Sequence, residues 1–470
     1  MTSVTQSHLS ESALQTRPLL TALAMFALFL AAMDSTAVST LLPYIKGQFQ
    51  DQTLYPWLLS GFILASVLVT PVAGVLSDRL GEKRTMQTAL GLFLIGSIAI
   101  GYAPSISTLI AARVLQGIGA GAIMVTTYVI IGKLYSNQER GKMQGLLSLV
   151  WGVAAIVGPM LGALIQEYWG WQMVFLLNVP LCAVIIVMIA LLYPNKPVAS
   201  QGAKIDALTL ISFAGLLGGI LLLIMAHSLQ LGPLVSHILA VIVLVSLIIQ
   251  VVRIRGNQSR SLVPVAFLRE RRFVIPALLT ALASIALYAT VTLLPLYLSG
   301  SKHLSAIEGG FLVMASALGW VVGSAVCGGL ISKTNFRITA IIGAVLLVIG
   351  VGVLHLLDST ASNAYFAFAQ VCIGLGIGFC ATTTLVLVQN QSPLASIGGF
   401  TSAVQLCRNL GAVVGINVVT ALQIMSLRHL ETSHSANAWS LSFANSFTVL
   451  LYLTIAALVL ALLMPKQAQQ

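Results

Sequence analysis

Long apolar runs alternate with short polar connections along the whole chain. A helix needs roughly 20 residues to cross about 30 Å of hydrocarbon, and fourteen runs reach that length. The pattern therefore predicts an all-α integral membrane protein with fourteen transmembrane helices. They are predicted at 19–44, 55–77, 85–103, 106–131, 143–166, 173–193, 207–228, 233–252, 273–299, 308–331, 338–357, 363–389, 396–424 and 441–464.

Composition supports a membrane protein and excludes most soluble classes. Hydrophobic residues make up 58% of the chain and charged residues 7%, and a soluble domain of this size could not bury that much apolar surface. The net charge of +11 does not indicate nucleic-acid binding, because the basic residues lie in short connecting loops. The five cysteines show no metal-ligand spacing, so we expect no metal site.

The basic residues also predict the orientation in the membrane. With fourteen spans both termini lie on one side, and 18 of the 23 Lys and Arg residues fall on that side. Because positive charge is retained in the cytoplasm, we expect both termini to be cytoplasmic. The first apolar run is too long for the core of a signal peptide, so we expect it to remain as a span.

Asp34 is the only carboxylate deep inside an apolar run, near the centre of Leu19–Tyr44. A lone ionisable group in hydrocarbon costs several kcal/mol and usually marks an ion or substrate pathway. Asp34 is therefore the first candidate functional residue.

The chain also repeats itself weakly. Gly74-Val-Leu-Ser-Asp78 recurs as Gly329-Leu-Ile-Ser-Lys333, 255 residues later, and the glycines of the segment 116–121 recur in 374–378, 257 residues later. A chance match explains either pair alone, but the nearly constant offset indicates two six-helix halves in parallel repeat with two inserted helices. The predicted division is a cytoplasmic tail 1–18, an N-terminal bundle 19–195, inserted helices 196–260, a C-terminal bundle 261–465 and a cytoplasmic tail 466–470.

Five motifs narrow the class of membrane protein. The loop Gly74–Arg84 closely resembles the G-x-L-a-D-r-x-G-r-k-R signature of the major facilitator superfamily, and Arg113–Gly121 is similar to its R-x-x-Q-G-x-G-a motif. Gly158–Gly162 resembles the G-P-x-x-G motif of its proton-coupled exporters. The run through Asp34 resembles the signature of the fourteen-span drug:proton antiporter branch, as does the W-x-W-x-x-F-x-x-N-x-P stretch 169–180.

The resemblance implies two six-helix bundles and roles for two motifs. In the loop it implies a conformational latch, although an ordinary positive-inside loop would have similar charges; its residues are Gly74, Asp78, Arg79, Gly81, Lys83 and Arg84. In the fifth span the resemblance implies a seal formed by a kinked, tightly packed helix. Proline can kink a helix because it removes a backbone hydrogen bond, and glycines allow a neighbouring helix to approach closely. The residues of the seal are Gly152, Gly158, Pro159 and Gly162, and simple packing is the alternative.

Residue counting places Arg113 at a similar depth to Asp34. Asp34 lies 17 residues beyond Arg17, or roughly 25 Å along a helix, and Arg113 lies 20 residues before Lys133, or roughly 30 Å. We expect a contact or a water-bridged pair in the outer half of the membrane. A nearby cation favours the charged carboxylate and removal from water favours the neutral acid, so Asp34 and Arg113 are candidates for proton coupling. A static ion pair is the alternative.

Other polar residues complete the set of candidates. Gln116 and Asn178 are expected to form interhelical hydrogen bonds. A substrate cavity is predicted around Gln116, Tyr288, Met314, Trp320 and Arg408. The second half has Gln370 in the place that corresponds to Arg113, and it has no deep acid.

These observations predict a proton-coupled exporter of amphipathic, often cationic compounds. The alternative in the same fold is a dedicated exporter of one metabolite, such as a siderophore, lipid precursor or amino acid. We expect no enzyme activity, because neither a catalytic cluster nor an appended soluble domain is apparent, and no cofactor, because a proton gradient would drive transport. The expected partners are the lipid bilayer of a bacterial inner cell membrane, small-molecule substrates and protons, with a monomeric chain and no nucleic acid.

Overall fold

The computed structural model describes residues 11–49, 54, 56–194, 207–226, 231–256, 261–302, 306–356, 361–432 and 438–465. These residues are almost wholly helical and contain no strand, which confirms the all-α fold class. One 3₁₀ turn, Leu394–Ser396, precedes α15. The helices are α1 Glu11–Gln48, α2 Pro56–Leu80, α3 Glu82–Gly101, α4 Ile106–Leu134, α5 Asn137–Trp169, α6 Trp171–Leu176, α7 Asn178–Leu192, α8 Ala207–Ile224, α9 Pro233–Gly256, α10 Val265–Arg269, α11 Arg271–Lys302, α12 Ala306–Ile331, α13 Phe336–His355, α14 Asn363–Gln391, α15 Ile397–Thr432 and α16 Ala438–Leu462.

Within the described residues, fourteen helical segments are long and apolar enough to cross a membrane, which confirms the predicted number. Helices α6 and α7 together make one of them, Trp171–Leu192, and the short α10 makes none. The cytoplasmic location of the termini stays a prediction. Residues 1–10 and 466–470 of the predicted tails, and the connection with Lys196 and Lys204, lie outside the described residues.

Several helices are longer than their apolar runs. Helix α1 begins at Glu11 rather than near residue 19, and α15 continues to Thr432 rather than ending near residue 424. Hydropathy detects only the part of a helix that crosses the hydrocarbon. Polar residues beyond it can continue the helix, because they form the same backbone hydrogen bonds. The predicted boundaries were too short for that reason.

Contacts divide the chain into two compact units. Unit 1 comprises Met1–Leu134, Val153–Gly202 and Leu394–Gly398. Unit 2 comprises Tyr135–Gly152, Ala203–Pro393 and Gly399–Gln470. The predicted domain boundaries of the two six-helix bundles stay a prediction.

In unit 1 the glycines of α4 bring two neighbouring helices close. A Cβ at Gly117 would lie 2.5 Å from the carbonyl oxygen of Phe62, and one at Gly121 would overlap Ser66, both on α2. Gly119, on another face, makes an equally close approach to Phe93 on α3. The backbone of α4 is therefore in close contact with the backbones of α2 and α3, because small residues allow membrane helices to approach closely. This packing fixes the rotation of α4, and with it the direction of its polar side chains.

Unit 2 uses glycine in the same way on α14. Gly374 and Gly378 approach the α12 backbone at Ser316 and Trp320, and Gly376 approaches α13 at Gly343. These glycines belong to the segment that repeats 116–121 at an offset of 257 residues. The two repeated segments therefore share a packing role as well as a sequence pattern.

Candidate functional site

Asp34 lies near the middle of α1 and is only 1% exposed. Its Oδ2 atom is 2.7 Å from a terminal guanidinium nitrogen of Arg113 on α4. Arg113 is itself 2% exposed, so the two charges are paired in a place that water does not reach. The structure thus brings together the two residues that residue counting placed at similar depth.

The guanidinium of Arg113 is also held by aromatic and backbone groups. Its centre lies 4.1 Å from the ring centroid of Phe62 on α2 and 5.7 Å from that of Phe175 on α6. Its Nε donates to the carbonyl of Leu58 at 3.5 Å. Ring faces stabilise a desolvated cation, so Arg113 can remain charged without bulk water.

Gln116, one turn along α4, is fixed by three hydrogen bonds. Its Oε1 accepts from Arg113 at 2.5 Å, and its Nε2 donates both to Asp34 Oδ1 at 3.0 Å and to Ser97 Oγ at 2.9 Å. The Ser97 hydroxyl donates to the carbonyl of Phe93 at 2.8 Å, so its oxygen can only accept from Gln116. The orientation of the Gln116 amide is therefore determined by its neighbours on two helices.

Asn178 is the third side chain that donates to Asp34. It is the first residue of α7 and is fully buried. Its Nδ2 donates to Asp34 Oδ1 at 3.1 Å. Its Oδ1 is buried and has no hydrogen-bond partner among the described residues.

We call Asp34, Arg113, Gln116, Ser97 and Asn178 the carboxylate cluster. The sequence predicts four of them as candidates, with interhelical hydrogen bonds expected for Gln116 and Asn178 and a substrate cavity expected in addition around Gln116. Ser97 was missed, because a lone serine in an apolar span carries no distinguishing signal. In the part of the chain that the structure describes, no three His, Cys, Asp or Glu side chains are grouped as metal ligands.

The latch residues lie at the α2–α3 turn. Gly81 separates the helices with a φ of 83°, a conformation that favours glycine. Asp78 Oδ1 accepts from the backbone N–H of Gly398 at 2.9 Å and lies 3.5 Å from Nζ of Lys133. Gly398 is in the first turn of α15, where backbone N–H groups lack helical partners and favour a negative charge.

The other latch residues have separate surroundings. A Cβ at Gly398 would overlap the carbonyl oxygen of Gly74, so these two backbones are in close contact. Lys83 donates to the carbonyl of Ala190 at 2.8 Å. Arg79 is half-buried and Arg84 is exposed. Lys133 also pairs with Glu82, a partner that the motif comparison did not single out.

The glycines of α5 contact two different helices. In unit 1, a Cβ at Gly158 would overlap Thr36 Oγ1 and one at Gly162 would lie 3.0 Å from Thr40 Oγ1, both on α1. Thr36 also donates across to the carbonyl of Ala154 at 3.1 Å. In unit 2, Gly152 lies against Val321 of α12. Pro159 lies inside α5, which continues through it to Trp169.

The remaining cavity candidates lie in unit 2. The guanidinium of Arg408 on α15 is 5.8 Å from the ring centroid of Trp320 on α12. Tyr288 and Trp320 pack against the main apolar core of that unit, and Met314 is half-buried. Gln370 is fully buried, and neither atom of its amide has a hydrogen-bond partner within the described residues. Their contribution to a substrate cavity stays a prediction.

Comparison with known proteins identifies relatives among transporters. The sequence model described as "Major Facilitator Superfamily" matches residues 24–416. The chain is 27% identical over 411 residues to "Multidrug transporter protein MdtP" of Bacillus subtilis, covering 85% of this chain and 74% of that protein. It is 31% identical over 431 residues to "MFS-type transporter ppz2" of Metarhizium majus, covering 88% and 74%.

A third relative and one solved structure agree with this assignment. "Efflux pump FUS6" of Gibberella moniliformis is 26% identical over 430 residues, covering 85% of this chain and 73% of that protein. The crystal structure of the human organic anion transporter MFSD10 superposes with a TM-score of 0.66 at 14% identity, covering 95% of this chain and 99% of that one. At this identity the structure supports the fold alone.

Proposed function

The chain belongs to the Major Facilitator Superfamily, and we propose that it is a proton-coupled exporter of amphipathic, often cationic compounds that works by alternating access. The observation that carries the proposal is the buried pair of Asp34 and Arg113, 1% and 2% exposed. Relatives named as a multidrug transporter and an efflux pump support export as the activity. As a transporter, the chain is not an enzyme.

A proton on Asp34 would disturb this arrangement. The neutral acid would leave Arg113 as a buried cation without a counter-charge, and removing one partner of a buried ion pair costs about 3–5 kcal/mol. That cost favours a different packing of α1 against α4, in which the guanidinium reaches water or another acceptor. Protonation from outside would compete with substrate, and release of the proton inward would reset the cycle. One proton thereby biases a conformational equilibrium, which is the requirement for coupling.

Asp78 and the glycines of α5 would act in the conformational step. The bond from Gly398 N–H to Asp78 can form only while the start of α15 lies beside the α2–α3 turn. The close contact of Gly158 with Thr36 likewise depends on the packing of α5 on α1. We propose that these contacts stabilise one of the transporter's states, as a latch and a seal.

The test is Asp34→Asn, which keeps the side-chain shape and removes the ionisable group. In proteoliposomes with an imposed pH gradient and ethidium as the probe, wild-type transport should follow the gradient. Asp34→Asn should lose gradient-driven transport while it remains monodisperse and inserted. The matched control is Glu270→Gln, which removes an acid that is 41% exposed and paired with Arg272; it should transport as wild type does. Gradient-driven transport by Asp34→Asn at the wild-type rate would refute the proposal.

The same assay separates broad from narrow specificity. Export of several chemically unrelated dyes supports a multidrug exporter, whereas a protein that transports none of them fits the dedicated exporter of one metabolite. We propose the cytoplasmic membrane of the cell as its location, with both termini on the cytoplasmic side, on the basis of the Lys and Arg distribution.

A further inference from the structure

The three donors around Asp34 are not equivalent. Oδ2 faces the guanidinium of Arg113, whereas Oδ1 faces two neutral amides, Gln116 at 3.0 Å and Asn178 at 3.1 Å. A proton that neutralises Asp34 therefore belongs on Oδ1, because a proton on Oδ2 would point at a cation. A protonated Oδ1 is a donor and needs an acceptor, which neither amide NH₂ group can provide.

Gln116 cannot become that acceptor without losing its own bonds. Turning its amide over would direct Oε1 at Asp34, but it would also break the bond that Oε1 accepts from Arg113 and the bond that Nε2 donates to Ser97. Because the Ser97 hydroxyl already donates to Phe93, the reversed amide would place two acceptors against each other. Gln116 therefore suits only the ionised form of Asp34.

Asn178 has no such restriction. Among the described residues its only side-chain hydrogen bond is the one to Asp34, and its Oδ1 is buried without a partner. A half-turn of the amide about its Cβ–Cγ bond exchanges NH₂ and oxygen within nearly the same volume. The side chain then accepts from a protonated Oδ1 instead of donating to a charged one. A buried acceptor without a partner is unusual enough to need a reason, and this exchange provides one.

We propose that Asn178 is a positioning residue that partners both protonation states of Asp34, donating from its NH₂ group to the carboxylate and accepting through its carbonyl from the carboxylic acid. The inference rests on the proposed function for the premise that Asp34 gains and loses a proton during transport. It assigns to Asn178 the acceptor for the O–H of the neutral acid.

The surroundings of Asp34 contain few competing groups. Arg113 from α4 is the charged partner, and the buried thiol of Cys182, one turn beyond Asn178 on α7, is the other titratable group that interacts with Asp34. Charged side chains are absent from residues 57–77 of α2, 85–101 of α3 and 143–166 of α5 and from α6, and the charged residues of α2, α3 and α5 lie at the helix ends. Arg113 and Cys182 are unchanged when Asn178 is substituted, so a changed infrared band of Asp34 reports on the amide.

The main test is Asn178→Leu, which keeps the branched shape and removes both donor and acceptor. The carboxylate would keep Arg113 and Gln116 as donors, whereas the O–H of the neutral acid would lose the acceptor that Asn178 provides. The readout is the infrared carbonyl stretch of protonated Asp34 in purified protein in lipid, assigned by its absence in Asp34→Asn. We expect the stretch to move to higher frequency in Asn178→Leu, because the O–H of the acid no longer donates a hydrogen bond. A stretch at the wild-type frequency would overturn the inference.

A second pair keeps the test decisive if the leucine variant does not fold. Asn178→Ser and Asn178→Ala differ by one oxygen, and a hydroxyl can donate or accept. The carbonyl stretch of the serine variant should lie near the wild-type frequency, and that of the alanine variant should follow leucine. Equal frequencies for serine and alanine would contradict the dual role, since a purely structural asparagine would not distinguish them.

The two proposals can fail separately. If Asp34→Asn still transports ethidium with the pH gradient, the proposed function is refuted, although a shifted carbonyl stretch in Asn178→Leu would still support the dual role. If Asp34→Asn is inactive and the Asn178 variants keep the wild-type frequency, coupling by Asp34 stands and the role of Asn178 is overturned.

Discussion

Alanine at position 158 is expected to push α5 away from α1. A Cβ there would overlap Thr36 Oγ1 and lie 2.9 Å from the carbonyl oxygen of Met33, whereas carbon prefers neighbours at about 3.5–4.0 Å. Thr36 can rotate away only by giving up the hydrogen bonding of its hydroxyl to the carbonyls of Met33 at 2.9 Å and Ala154 at 3.1 Å, worth about 0.5–1.5 kcal/mol. The Met33 carbonyl is backbone and must move with its helix.

The size of the effect follows from these contacts. Overpacking of this kind costs about 1–3 kcal/mol, and alanine returns at most about 1 kcal/mol through its higher helix propensity. We therefore expect Gly158→Ala to lower stability by about 1–2 kcal/mol. Removing the Thr36 hydroxyl as well should recover part of the loss, because the two substitutions share one contact.

The loss of stability is measured by thermal melting of the purified protein, monitored as the loss of the monodisperse peak in size-exclusion chromatography. The matched control is Gly91→Ala on α3, a helical position where a Cβ would meet nothing within 4 Å. Gly91→Ala should melt at or slightly above the wild-type temperature and Gly158→Ala below it. Indistinguishable melting of the two alanine variants would refute the reasoning about close packing.

Two further predictions concern buried charges in unit 1. Arg113→Gln leaves the Asp34 carboxylate without its cation and should cost about 3–5 kcal/mol, while the double variant Asp34→Asn/Arg113→Gln, which buries no charge, should melt closer to wild type. A double variant no more stable than the single one would show that the pair is not coupled. Asp78→Asn weakens the charge-assisted bond from Gly398 and should lower stability by about 1–2 kcal/mol in the same melting experiment. The control Glu270→Gln should change stability by less than about 1 kcal/mol. Equal shifts in melting temperature for the two variants would argue against the Asp78 contact.

The sequence alone was sufficient to predict the transmembrane spans and the similar depth of Asp34 and Arg113. Crossing hydrocarbon demands a run of apolar residues of fixed length, so fourteen runs predict the fourteen helical segments that the structure contains. The constant rise of a helix placed Asp34 and Arg113 at similar depth, and they are in contact. The motifs were sufficient for the family, which the match over residues 24–416 shows. That Asp34 couples protons to transport stays a prediction.

Tertiary structure decided which side chains meet. Apolar spans have little periodicity, so the sequence does not define the rotation of each helix about its axis, and depth alone could not select Ser97 from the other small polar residues of the spans. That rotation follows from backbone contacts such as Gly117 against Phe62, which direct Gln116 and Arg113 towards Asp34. Packing of the span Trp171–Leu192 similarly places Asn178 beside the carboxylate, with its side-chain carbonyl unpaired among the described residues. The sequence by itself determined that one acid lies deep in the membrane. Packing between helices determined which side chains surround that acid. Hydrogen bonds depend on direction, whereas a linear pattern records only distance along the chain.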